Sequence, residues 1–281
     1  MAKRRFLSKL FSLWVKVVSF LFGMVFALLR TVANAIVSLL RFLGGFLRTQ
    51  ARKKQMEMKK PKTEAVYSEW EVRKTVDGSV ASFEEWLFRS KSTIGIILGS
   101  RGSGKSALGM RILENLAAQT KKPVCAMGFQ EESLPSWIRT VEKIQDIRNG
   151  SFVLIDEGGV LFSSRGSMSS ANKILSELLL IARHKDLSVL FISQNSANLE
   201  VNAIRQADYL LLRKSSLLQK DFERKKIKEV YTEAEENFDE FFKAGHRLTY
   251  VYSDAFRGYA QNKLPNFWTE KTSKSFKDFK K

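Results

Sequence analysis

The feature that most narrows what this chain can become is the octapeptide Gly99-Ser100-Arg101-Gly102-Ser103-Gly104-Lys105-Ser106. It stands directly behind an apolar run, Ile94 to Leu98, and directly ahead of the good helix formers at 107–118. The run is short and rich in β-branched residues, which suits a strand buried on both faces of a parallel sheet. The octapeptide follows the pattern G-x-x-x-x-G-K-S/T. Such a loop wraps an anion with main-chain N–H groups, and glycines permit the φ/ψ values and the close approach. Lys105 is then placed to reach the β- and γ-phosphates of a nucleoside triphosphate. Ser106, opening the next helix, is placed to ligate Mg²⁺ while the helix N-terminus favours negative charge. The expected fold class is α/β, a mostly parallel sheet flanked by helices.

A second element lies some fifty residues on. Phe152, Val153, Leu154 and Ile155 form an apolar strand that ends in Asp156 and Glu157, followed by Gly158 and Gly159. This is the form of a Walker B motif, with Asp156 holding Mg²⁺ through water and Glu157 addressing the attacking water as base or positioner. A third apolar strand, 188–192, leads to Ser193, Gln194 and Asn195. Gln194, at the carboxyl end of a strand expected between the other two, is the residue to set beside the γ-phosphate; a satisfied loop amide is the other reading. Strands are also expected at 124–128, 209–213 and 249–253, and a helix opening on a capping box of Ser82 and Glu85.

Composition enters through charge. The 281 residues carry 47 Lys and Arg against 29 Asp and Glu, a net charge of +18, which favours anionic partners such as nucleic acid or acidic lipid. Residues 1–60 hold 13 of the cations and only Glu57 as an acid. Cys125 is the single cysteine and His184 and His246 are the only histidines, so a disulfide or cysteine-cluster metal site within the chain is excluded.

Residues 6–47 are dominated by Leu, Phe, Val, Ile and Ala, interrupted by Lys16, Arg30 and Arg41. At about 100° per residue, Arg5, Lys9, Lys16, Arg30, Arg41, Arg48 and Arg52 share an arc of about 60°. A signal peptide is not expected, because the apolar region is far longer than the usual stretch of about 7 to 15 residues and no small-residue cleavage site ends it. A membrane-associating amphipathic helix over residues 1–48 is expected. It lies in the interface or spans the bilayer, a packing helix being the third reading. Residues 49–63 read as a basic linker, a solvated tether or an added attraction for acidic headgroups.

With these residues in order, the chain resembles the FtsK/HerA superfamily of ring ATPases, which includes cellular DNA translocases, conjugation coupling proteins and viral genome-packaging ATPases. The resemblance covers about residues 94–214 and rests on the loop at 99–106, the Asp156-Glu157 pair and the passage 181–194, where a basic helix end, an apolar strand and Gln194 follow one another. Zot-like proteins of filamentous phages are similar in the same region. The resemblance implies a P-loop NTPase of the RecA-like (ASCE) kind with strand order near 5-1-4-3-2, hydrolysing ATP with Mg²⁺ in a homo-oligomeric ring, a hexamer. It also implies an arginine reaching the neighbouring subunit's site; Arg183 and then Arg205 are the positions to test, a salt-bridged helix residue being the alternative for each.

The function so implied is a membrane-associated motor translocating double-stranded DNA, in viral genome packaging or DNA transfer, with its ATPase domain in the cytoplasm, in a host cytoplasm or in a virion. The alternative is a Zot-like ATPase for virion assembly or secretion acting on protein. The short segment 130–150 leaves little room for the large insertions of the cellular translocases and suits a minimal viral ATPase, and the lack of a winged helix after Lys214 argues against sequence-specific loading. The catalytic domain is expected at 64–264. The Ser- and Gly-rich stretch 163–170, with Arg165, is a pore-facing or plain surface loop. Residues 215–245 read as solvated helices. The basic tail, 265–281, sets Phe267, Trp268, Phe276 and Phe279 among lysines, for nucleic-acid stacking or for docking on the domain.

Overall fold

The computed structural model describes residues 2–157, 168–243, 248–269 and 272. The chain divides into two compact units, Met1–Met58 and Lys59–Lys281. The first is one helix, α1 (Ala2–Lys59), which continues past residue 48 through most of the stretch read as a linker.

The second unit is built on a nine-stranded sheet. In chain order its elements are β1 (Glu71–Gly78), α2 (Val80–Arg89), β2 (Ile94–Leu98), α3 (Lys105–Gln119), β3 (Val124–Met127), β4 (Ile138–Thr140), β5 (Phe152–Asp156), α4 (Met168–Ala182), β6 (Ser188–Ile192), α5 (Val201–Arg205), β7 (Tyr209–Leu212), α6 (Leu217–Asp221), α7 (Lys225–Lys243), β8 (Leu248–Ser253) and β9 (Phe256–Gln261). The strand order is β1-β9-β8-β7-β2-β6-β5-β3-β4. From β7 to β4 every pairing is parallel, and β8, β9 and β1 extend the sheet antiparallel from β7. Numbered from β2, the five core strands β7, β2, β6, β5 and β3 stand in the order 5-1-4-3-2, as the resemblance implies.

Each core strand is buried on both faces, and its side chains alternate between two cores with the period of two that a pleat imposes. Ile96, Val153, Ile155, Val189 and Phe191 join α4, α5 and α7 on one side. Ile97, Phe152, Leu154, Leu190 and Ile192 join α2 and α3 on the other. Gly95 is where a side chain is missing because the Tyr209 ring fills the space; a Cβ there would lie 2.1 Å from the ring.

The structure departs from the sequence reading at several places. Ser79, not Ser82, caps α2: its Oγ accepts the Ser82 N–H at 3.1 Å, and Glu85 pairs instead with Arg89 at 3.0 Å. The short segment 130–150 carries an extra strand, β4. Strands β1 and β9 were not foreseen, and they make β8 an interior strand rather than the last. The helix α7 is not simply solvated, because Ile227, Val230, Tyr231, Ala234 and Phe238 form a buried stripe at helical spacing. The start of the tail docks: Phe267 is buried and meets the Trp137 ring edge-on at 5.6 Å. Phe276, Phe279, Arg165 and residues 163–167 lie outside the described residues.

Candidate functional site

Strand β2 ends at Leu98 and α3 begins at Lys105, so the six residues between turn the chain back over the carboxyl edge of the sheet. Gly104 occupies the helix N-cap at φ 87°, left-handed backbone that a residue with a Cβ enters at a cost. Gly99 has φ 151° and lies so close to Arg213 that a Cβ would come within 2.6 Å of the arginine's own. The loop is pinned to the residue after Arg213: Ser100 donates to the Lys214 carbonyl from its N–H (3.2 Å) and its hydroxyl (3.0 Å). Arg101 and Gly102 are exposed at the tip.

Lys105 curls into the loop and donates to the carbonyls of Gly99 (2.8 Å) and Ser100 (2.9 Å). Burial pushes its ammonium down to about 8, against Asp156 and Glu157, which raise it. Ser106 donates to Asp156 Oδ2 at 2.8 Å. The Ser103 hydroxyl is buried and has no hydrogen-bond partner among the described residues. An orphaned donor, a lysine folded onto loop carbonyls and glycines held open at the turn are what a phosphate chain would engage, so the loop fits a nucleotide. The Ser106 and Asp156 oxygens fit Mg²⁺, which commonly takes one or two protein oxygens and completes its shell with phosphate and water.

Asp156 closes β5, and the next residue, Glu157, is buried. The Glu157 Oε2 accepts a 2.5 Å hydrogen bond from Ser193 Oγ, and the carboxylate also accepts from the Gln194 main-chain N–H. Desolvation raises the Glu157 pKa and Asp156 adds to it; Ser193, the Gln194 N–H and Lys105 oppose the rise. A carboxylate held at the sheet edge beside a lysine and a second carboxylate can act as a base toward water.

Gln194 does stand just past the end of β6, between β2 and β5, but its side chain is exposed. What reaches Glu157 is Ser193, a residue the sequence reading passed over. The signal was available in the register: Asp156 pairs with Ile192, so one step further sets Glu157 opposite Ser193. The loop after Gln194 is held by α6 and by the turn that joins α6 to α7. Gln219 Nε2 donates to the Gln194 carbonyl, Glu223 Oε2 accepts the Ser196 N–H at 2.8 Å, and Arg224 Nε donates to the Ser196 carbonyl at 3.0 Å.

Arg183 and Arg205 are exposed and precede β6 and β7, at the edge opposite the loop. Within one chain the structure therefore brings together Lys105, Ser106, Asp156, Glu157 and the Ser193-Gln194 turn, and leaves the two arginines apart.

No protein-family model matches the sequence, and no curated protein matches it. Solved structures do. The genome-packaging NTPase B204 from Sulfolobus turreted icosahedral virus 2, in complex with ATP-gammaS, matches with a TM-score of 0.43 and 14% identity over 62% of this chain and 98% of that one. B204, the DNA-packaging ATPase from Sulfolobus Turreted Icosahedral Virus, matches with a TM-score of 0.34 and 16% identity over 46% and 79%. The N-terminal domain of zonular occludens toxin from Neisseria meningitidis matches with a TM-score of 0.27 and 18% identity over 43% and 76%. These are partial likenesses of fold.

Proposed function

We propose that this chain is an ATP-hydrolysing, membrane-associated motor that moves double-stranded DNA, in genome packaging or DNA transfer, as a homo-oligomeric ring. The observation that carries the ATPase part is the convergence of Lys105, Ser106, Asp156 and Glu157 at one edge of the sheet, with Ser106 and Asp156 in hydrogen-bond contact at 2.8 Å. In this reading residues 99–106 cradle the phosphates and Lys105 neutralises the β- and γ-phosphates. Ser106 and Asp156 hold Mg²⁺, which draws charge from the phosphates when bound, and Glu157 takes the proton of the attacking water. Gln194 faces the γ-phosphate, and Arg183, ahead of Arg205, enters the site of the neighbouring subunit, as the sequence resemblance implies. Residues 64–264 do this work and 1–48 hold the chain to a membrane.

DNA as the substrate is supported by the resemblance of residues 181–194 to DNA-translocating ring ATPases and by the smaller cation excess of residues 61–281, +6 of the chain's +18. The test is ATP hydrolysis by the full chain in detergent, with and without duplex DNA at moderate salt. Stimulation by DNA supports the motor. Hydrolysis indifferent to DNA would favour a membrane assembly ATPase that acts on protein subunits.

A further inference from the structure

We infer that α1 lies in the plane of an anionic lipid surface, with its apolar arc among the acyl chains and one basic stripe along the phosphate headgroups. This deepens the proposed membrane association and is independent of the ATPase reading. Three observations carry it: length, phase and charge.

The apolar stretch at 6–47 is continuous helix, and at 1.5 Å per residue it is about 63 Å long. A bilayer's hydrocarbon core is about 30 Å thick. A span would therefore leave about half of that apolar length in water, or would need a tilt of about 60°, beyond the 0 to 40° that spanning helices adopt. A helix lying in the interface covers its apolar surface along the whole length. Among the described residues of this stretch the large apolar side chains are exposed, Phe22 to 76% and Phe42 to 71%.

Phase separates the two geometries further. A lone spanning helix has no reason to keep its cations on one side along its length, whereas an in-plane helix must. From Arg5 to Arg52 the seven cations of the stripe stay within about 60° at 100° per residue. Among them Lys16, Arg30, Arg41 and Arg48 are exposed, and Ser19, Asn34 and Gly45 share their side. At the 3.5-residue period of a coiled coil the same seven positions would drift over about 155°, so the stripe matches a flat surface better than a supercoiled partner helix. Lys and Arg also have the reach to keep their charge at headgroup level while their stems lie in the apolar layer.

Charge selects the lipid. Residues 1–60 carry 13 Lys and Arg against Glu57 alone, which complements phosphate-rich anionic headgroups and not zwitterionic ones.

The test uses the full chain, whose single native cysteine, Cys125, is buried. Cysteines are introduced one at a time at Ser19, Asn34 and Gly45 on the stripe side, and at Leu28, Leu39 and Phe46, about 140° round the helix. Each carries an environment-sensitive fluorophore, and vesicles contain lipids brominated at known depths. The expected result is quenching set by face: the second three buried alike, the first three alike at headgroup level. Flotation is expected to fall at least tenfold when vesicles of one third phosphatidylglycerol are replaced by phosphatidylcholine alone. Depth that varies with distance along the helix, whatever the face, would mean a span and overturn the proposal. So would equal binding to both vesicle types, or probes that meet protein rather than lipid. Loss of ATP hydrolysis in wild type with these results intact would sink the motor and leave this inference standing.

Discussion

The Ser106 hydroxyl donates to Asp156 Oδ2 at 2.8 Å, joining the first turn of α3 to the last residue of β5 across fifty positions of sequence. Strand β6 lies between the strands concerned, so the contact depends on α3 crossing toward β5. Gly109 makes that crossing close, because a Cβ on it would come within 2.6 Å of Leu154 Cδ1. The pair supplies the two protein oxygens expected to hold Mg²⁺. Asp156→Asn keeps the shape and removes the charge. Its magnesium-dependent affinity for ATPγS should fall by about tenfold or more, since even outer partners of a bound metal command about that range. Calorimetric titration with and without Mg²⁺ reads it, and unchanged affinity would remove Asp156 from the metal site.

Glu157→Gln is the complementary change, because it retains a side chain that Ser193 can still donate to. Turnover should fall by about 10² to 10⁴, the usual contribution of a positioned base, while nucleotide binding persists. Filter binding of labelled ATP with quenched-flow hydrolysis distinguishes a trapped nucleotide from a lost site. Normal turnover in this variant would move the base elsewhere.

How much of this was legible depends on burial. The five core strands are buried on both faces, so each is an uninterrupted apolar run in the sequence, and the loop and the acid pair could be placed on them without coordinates. Strand β1 gives no such signal: all eight residues are exposed, and two irregularities in its pairing with β9 break what alternation it has. Strand β4 is three residues long, too short for a pattern. In α7 the acids Glu233, Glu235 and Glu240 drew the eye from the buried stripe that Ile227 and Phe238 belong to. Ser193 was missed for a different reason: its role is set by the register between β5 and β6, which no single segment contains.

Gly95 illustrates a constraint that pattern reading cannot supply. Its neighbour across the β2–β7 ladder is Tyr209, whose ring lies over the glycine and is itself packed by Phe83 at 5.4 Å and Trp86 at 5.8 Å. Gly95→Ala would set a methyl 2.1 Å from that ring, which has no room to retreat. Overpacking of this kind costs about 1 to 3 kcal/mol, and urea unfolding should show a lower midpoint with an unchanged slope. An unaltered midpoint would show that the ring can move.

A polar cluster inside the apolar face of α3 should matter as much. Arg111 and Glu114 are 1% and 0% exposed and pair at 3.1 Å. Arg111 also donates to the carbonyls of Val66, Lys263 and Leu264, while Glu114 accepts the N–H groups of Val66 (3.3 Å) and Asn266 (3.0 Å). One turn of the nucleotide-loop helix thus fixes the segment that enters the domain and the segment that leaves it. Arg111→Met would strand Glu114 and three carbonyls, and removing one partner of a buried pair costs about 3 to 5 kcal/mol. Urea unfolding should report that loss, and early proteolysis near residues 66 and 264 should accompany it; a loss under about 1 kcal/mol would mean that water replaces the guanidinium.

Cys125 should be inert in the folded chain, as selective labelling of introduced cysteines requires. Its thiol lies in β3, 3% exposed, with Sγ 3.8 Å from the Phe152 carbonyl. Burial pushes its pKa up to about 11, while Ser151 and Arg139 pull the other way. The thiolate is the reactive form, so at pH 8 about one thiol in a thousand would be ready to react, against about a quarter of free cysteines. Iodoacetamide at pH 8 should therefore modify the folded chain at least about a hundredfold more slowly than the chain in urea. The folded rate should still be climbing above about pH 9, where that of an ordinary cysteine levels off. A folded rate at pH 8 as fast as that of the chain in urea would place the thiol in an exposed, ordinary environment and contradict the packing of β3 against β5.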